Sequence, residues 1–161
     1  TIKHIIKGEK PPVGTKVHGI IDWEKRYQHM KMHTAQHIIS GIVFDATMHE
    51  PWEIKYMQNT QEWISIPIRF SERDLENIEN KSNNIIKQNL PIKIYEEERD
   101  SLEKRVDQQR CNLDLLPKFI KKLRIIEIEG FDICPCAGTH VKNTSELSMM
   151  KIIKKRKQRR K

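Results

Sequence analysis

Two pairs of metal-capable side chains, far apart in the chain, restrict the folds open to this sequence more than any other feature. His33-Thr34-Ala35-Gln36-His37 is answered, well down the chain, by Cys136-Ala137-Gly138-Thr139-His140. Within each pair the two side chains stand four residues apart, a spacing that on an α-helix puts both on one face. Imidazole nitrogen and thiolate sulfur are the donors that a tetrahedral zinc site prefers. One pair alone is weak. Two make a four-ligand site geometrically reasonable, and they demand a fold that returns the second segment to the first helix.

Rival donors lie close by. His29, His33 and His37 share one helical face, but the run spans about 12 Å, so one ion cannot take both ends. His33 and His37 sit deeper in the apolar stretch and are favoured; His29 reads as a surface residue or one that orients a ligand. Cys134-Pro135-Cys136 is too tight for a usual two-cysteine knuckle. Cys136 is the better ligand, because it pairs with His140 across a segment where Gly138 lets the chain turn. Cys111 reads as a buried or unpaired thiol, and His4, His18 and His49 as ordinary surface or turn histidines.

Apolar residues at Tyr27, Met30, Ala35, Ile38, Ile39 and Ile42 predict a helix from Trp23 to about Phe44, with Asp22 as N-cap. Upstream, Lys10 to Gly14 marks a turn and Val17 to Asp22 a short strand. Trp52 to Gln58 and Glu62 to Phe70 alternate like two strands, Pro67 demoting part of the second to an edge. Ser71-Glu72-Arg73-Asp74 opens a second helix that runs to about Asn89, where Pro91 stops it. Ile92 to Tyr95 reads as a strand, Arg99 to Gln109 as a charged helix, and Lys122 to Glu129 as a strand turned by Gly130. Ser145 to Ile153 reads as a last strand. The expected class is α+β, with helices packed on one face of an antiparallel sheet.

The chain has 161 residues, enough for one domain, and 32% of them are charged. No apolar run approaches the ~20 residues that cross a bilayer, and no signal peptide opens the sequence, so a membrane partner is not expected. Three cysteines make no disulfide framework, and a reducing cytoplasm is the simplest setting. The chain opens on Thr1, and too little precedes Trp23 to form a core, so a piece of a longer protein is expected. The net charge of +8 belongs to one end. Lys151, Lys154, Lys155, Arg156, Lys157, Arg159, Arg160 and Lys161 supply all of it, and residues 1–150 are formally neutral. Such a tail attracts phosphate backbone without reading sequence.

Asp22-Trp23-Glu24-Lys25-Arg26, His29-Met30-Lys31, the His33 motif and Asp132-Ile133-Cys134-Pro135-Cys136-Ala137-Gly138-Thr139-His140-Val141 together resemble the AlaX family. These are freestanding relatives of the alanyl-tRNA synthetase editing domain and, more distantly, of the threonyl-tRNA synthetase one. The resemblance implies an editing-domain fold and Zn2+ held by His33, His37, Cys136 and His140. It implies hydrolysis of the ester joining serine or glycine to the tRNA for alanine, with mischarged tRNA as partner and no small-molecule cofactor. It also divides the chain: residues 1–21 as the remnant of a β-barrel or a linker, 22–150 as the editing domain, 151–161 as a basic tail. Family pockets recognise the seryl hydroxyl with a threonine or glutamine, which makes Thr34, Gln36, Gln58 and Thr139 candidates. No residue is an obvious general base; Asp132 is the nearest acidic candidate and reads equally well as a turn residue. Two other functions stay open: a zinc-stabilised, non-catalytic RNA-binding module, and editing of seryl-tRNA for threonine.

Overall fold

The computed structural model describes residues 5–47, 55–56, 64–65, 70–107, 110–111 and 113–152. The first helix, α1 (Trp23–Thr47), begins where Asp22 accepts the Lys25 amide at 3.1 Å, as an N-cap does. A turn closes upstream, with the Thr15 amide donating to the Pro12 carbonyl and Gly14 at φ 90. The strand expected over Val17 to Asp22 is not formed: these residues pair with no strand and stand exposed. Two short strands, β1 (Lys55–Tyr56) and β2 (Ile64–Ser65), pair antiparallel; the rest of the expected pair, Gln58 and Pro67 included, lies outside the described residues, except Phe70, which is not in a strand.

The second helix, α2 (Glu72–Lys87), starts on a complete capping box. Ser71 Oγ accepts the Asp74 amide, and the Asp74 carboxylate accepts the Ser71 amide at 3.1 Å. It ends before Pro91 is reached, because Asn89 takes a left-handed turn at φ 52. From there β3 (Ile92–Glu98), β4 (Lys122–Ile128) and β5 (Asp132–Pro135) form an antiparallel sheet with β4 in the centre. Gly130, at φ 71, turns β4 into β5.

β4 is buried on both faces. Ile126 and Ile128 face α1 and α2, joining Ile38, Ile39, Ile42, Val43, Ile78 and Ile86 in one core. Leu123 and Ile125 face the other way, onto Leu102, Cys111 and Leu113. The fold is therefore α+β, with the long helices on one side of the sheet and a thin irregular layer on the other.

That layer corrects the expected helix at Arg99 to Gln109. Only α3 (Arg99–Glu103) forms, and Gln108 and Gln109 lie outside the described residues. Arg99 is buried and its guanidinium donates to the carbonyls of Leu113, Leu116, Pro117 and Ile120, so the chain bends around it instead of continuing as a helix. The last expected strand is also corrected. A 3-10 turn (Thr144–Glu146) stands near its start, and the chain beyond is held by side chains of α2. The Asn83 amide donates to the Met150 carbonyl at 2.9 Å and accepts its N–H at 2.8 Å, which imitates a strand neighbour with one side chain.

Candidate metal centre

α1 carries His33 and His37 on adjacent turns toward the C-terminal edge of β5. Pro135, the last residue of that strand, stands opposite Ile125 where its missing N–H costs the ladder nothing, and the Cys136 amide carries the pairing one step on by donating to the Arg124 carbonyl at 3.0 Å. The loop that follows lays Cys136 and His140 against α1. Donor atoms of His33, His37, Cys136 and His140 all lie within 4.8 Å of one another, a group that could hold a metal ion.

The residues fit such an ion in three respects. Cys136 Sγ and His33 Nε2 are 3.3 Å apart, close to the roughly 3.5 Å between neighbouring ligands in a tetrahedral nitrogen–sulfur shell. His140 is 4% exposed, and its Nδ1 is taken by Thr34 Oγ1 at 3.1 Å. Its Nε2 is buried with no hydrogen-bond partner, an arrangement that costs about 1–3 kcal/mol unless a cation sits there. The third is Gly138. A Cβ built there would stand 1.9 Å from His33 Cε1. The chain bends at Gly138 as the sequence suggested, but its φ is not positive, so what demands a glycine is the close approach to the imidazole.

The electrostatics suit a cation too. Burial opposes ionisation of Cys136, but the His140, His33 and His37 rings around its sulfur and the Gly138 amide overcome it and hold the thiol down to about 3. Cys136 is therefore a thiolate. Burial pushes the Cys134 thiol up despite His37 beside it, so Cys134 stays neutral. Burial lowers His140. It opposes charge on His37 as well, but Asp132, Cys134 and Cys136 around that ring raise its pKa well above the ordinary value.

Among the rivals, His29 is exposed and stands outside the group. Cys134 belongs to a second set, with its Sγ 3.2 Å from His37 Nδ1 and Asp132 Oδ2 3.5 Å from the same atom. Cys111 is buried in the second core. Thr34 is fully buried and committed to His140 and the Val141 amide, whereas Thr139 is exposed. Asp132 is engaged at both oxygens, one of them by Arg110 at 3.0 Å. A cavity of about 140 Å³ opens beside His37, lined by Gln36, Ser40, Gly41, Arg110, Asp132 and Cys134. Gln36 Oε1 is buried on that side of α1 without a partner. No motif or periodicity singles out Arg110, which precedes Cys111 in an irregular segment. Of the basic tail, only Lys151 and Ile152 are described. No described helix is long and apolar enough to cross a membrane.

Comparison with known proteins agrees with this geometry. A family described as "Threonyl and Alanyl tRNA synthetase second additional domain" matches residues 123–161. The chain is 35% identical over 158 residues to alanyl-tRNA editing protein AlaX-M of Methanosarcina barkeri, covering 95% of this chain and 65% of that protein. It is 33% identical over 150 residues to alanyl-tRNA editing protein AlaX-L of Pyrococcus horikoshii, covering 92% of this chain and 36% of that one. With the alanine–tRNA ligase of Archaeoglobus fulgidus it shares 31% identity over 156 residues, 95% of this chain but 17% of the ligase. The chain thus spans 65% or less of the length of these relatives. With the ligand cluster and the α+β frame, these matches make the chain a relative of the alanyl-tRNA editing proteins, AlaX-M and AlaX-L among them, over more than nine-tenths of its length.

Proposed function

We propose that this domain is a trans-editing hydrolase that cleaves the ester joining serine or glycine to the tRNA for alanine, with zinc held by His33, His37, Cys136 and His140. The observation that carries the reading is the four-ligand cluster beside a small cavity, in a chain that matches alanyl-tRNA editing proteins over 95% of its length. Zinc, when bound, supplies a positive centre that can polarise or orient a substrate group. Four protein ligands are the closed arrangement of structural sites, so the chain's own residues must do the positioning.

An aminoacyl ester is already activated, and placing it beside a water supplies most of the acceleration needed. The cavity has room for a small aminoacyl group. In this reading Gln36 Oε1 accepts the hydroxyl proton of a bound seryl group, and an alanyl group leaves that oxygen unpaired, which disfavours the correct product. Thr34 orients His140, and Asp132 orients His37 in place of acting as a base. The basic residues Lys151, Lys154, Lys155, Arg156, Lys157, Arg159, Arg160 and Lys161 draw the tRNA backbone in. Three cysteines too sparse for a disulfide framework, together with a translation substrate, support a cytoplasmic setting.

The test is deacylation of tRNA for alanine charged with serine, glycine or alanine, by zinc-loaded protein. Release of serine or glycine with alanine spared supports the reading. Gln36→Ala should then erode the preference for serine over alanine by more than it slows turnover. Binding of the tRNA with no ester cleavage would leave the non-catalytic RNA-binding module. Cleavage confined to seryl-tRNA for threonine would reassign the substrate.

A further inference from the structure

We propose that Arg110 is a positioning residue for the metal centre: it clamps the Asp132 carboxylate against His37 and so fixes which ring nitrogen of His37 faces the ligand cluster. This rests on the reading of the cluster as a metal site.

Arg110 joins two parts of the fold, the end of α1 and the turn into β5, through three donors. Its Nε donates to Asp132 Oδ1 at 3.0 Å, its Nη1 to Asp45 Oδ1 at 3.0 Å, and its Nη2 to the Phe131 carbonyl at 3.1 Å. The guanidinium also lies near the rings of Phe44 and Phe131, at 5.8 and 5.7 Å from their centroids. α1 makes room for it. A Cβ at Gly41 would stand 2.5 Å from Arg110 Nη2, so a glycine occupies the turn of α1 that the guanidinium covers. Only a planar fork of donors serves all three acceptors; an ammonium on a flexible stem would not hold them together.

The clamp bears on the metal ligands through one carboxylate. Asp132 is 9% exposed, and within that enclosure Arg110 is the cation that holds its Oδ1 in place. With Arg110 on Oδ1, the other oxygen is left 3.5 Å from His37 Nδ1. Cys134 Sγ stands 3.2 Å from the same nitrogen. With Nδ1 turned to these two, Nε2 is the nitrogen left for the cluster, where the His37 ring is 4.8 Å from that of His140 and 5.2 Å from that of His33. Partners that hold a ligating histidine in this way typically alter metal affinity 10–100-fold.

A second role is easily imagined, in which Arg110 merely staples the β4–β5 hairpin to α1. Asp132→Asn separates the two. Arg110 can only donate, so it takes the amide oxygen and leaves the NH2 group facing His37 Nδ1, donor against donor. Volume and the hairpin contact are kept while the ring is pushed toward the wrong tautomer.

The experiment measures zinc affinity by chelator competition on the full chain, with thermal melts and the ¹⁵N resonances of His37 alongside. Arg110→Met and Asp132→Asn should each weaken zinc about 10–100-fold, and the double variant should be little worse than either. Arg110→Lys should recover part of the loss, and the zinc-loaded wild type should show His37 protonated at Nδ1. Asp45→Asn removes only the outer arm of the clamp and should leave zinc affinity unchanged. If Arg110→Met does not fold, Asp132→Asn decides. Wild type that binds zinc, with Asp132→Asn and any folded Arg110→Met within about twofold of it, overturns this inference alone. Wild type that takes up no zinc overturns the metal reading and this inference with it.

Discussion

At the scale of single residues, two glycines on either side of β5 do opposite jobs. Gly130 needs its left-handed backbone, at φ 71, but a Cβ there would meet nothing within 4 Å. Gly138 needs no special backbone, yet a Cβ there would strike the His33 ring at 1.9 Å. Gly130→Ala should therefore cost about 1 kcal/mol of stability through strain and leave metal content at wild-type level. Gly138→Ala should cost about 1–3 kcal/mol through overpacking and, because the side chain displaced is one of the four proposed ligands, lower the metal bound per chain. Metal analysis beside denaturant melts of both variants checks the pair. The sequence shows both glycines equally well. It cannot show which is there for its φ and which for its missing side chain, because the second depends on a histidine far earlier in the chain.

At the scale of elements, Arg99 and Glu146 each tie irregular chain to regular structure. The Arg99 guanidinium is buried and gathers four carbonyls from the segment between α3 and β4. Arg99→Met leaves those acceptors unmatched and should destabilise the fold by about 3–5 kcal/mol, read as a shift in the urea midpoint. Glu146 accepts the Tyr27 hydroxyl and the amides of Lys142 and Asn143, pinning the loop after His140 to α1. Burial works against the charge, but these donors prevail and lower its pKa. A lowered carboxylate stabilises the fold fully above its unfolded value of about 4.3, and that stability is lost as pH falls through the folded value. Glu146→Gln should therefore lower the urea midpoint of metal-free protein at neutral pH and match wild type once the medium is acid enough to protonate both states.

The same elements show what a single sequence discloses. α1, α2 and β4 are written in local periodicity and caps, and α2 even in the Ser71–Asp74 pairing. The segment after α3 looked helical because charged residues there are good helix formers. One buried arginine, seeking acceptors that lie later in the chain, overrode that preference. Likewise the stretch after Ser145 alternates like a strand, but its partner is the side chain of Asn83, and no pattern in the stretch itself records that. At the site, the spacings pointed to four donors that the fold does gather, while Arg110 and Gly41 have meaning only in each other's company.

At the scale of the whole molecule, the donor cluster joins a helix near the start of the described chain to a loop near its end. A metal held there binds the folded state alone, so its binding free energy adds directly to stability. Stripping it with a strong chelator should lower the melting temperature and speed hydrogen exchange most in α1 and around residues 132–141, with α2 and β3 less affected. Equal loosening everywhere would mean that the ion holds the fold as one unit. An unchanged melt would mean that the cluster contributes nothing to it.

The distance in sequence between His37 and Cys136 also sets an order of events. A ribosome that has delivered α1 has made half of the donor set, and the other half emerges only after α2 and the whole sheet have been synthesised. Contacts this remote form late, because the loop between them must close first. Free imidazoles on a nascent chain could catch a stray ion early, but the complete set exists only once the sheet is in place. If zinc fills the centre as proposed, its occupancy is a record of finished folding, and a quality-control protease would meet metal-free chains chiefly among those that never completed it.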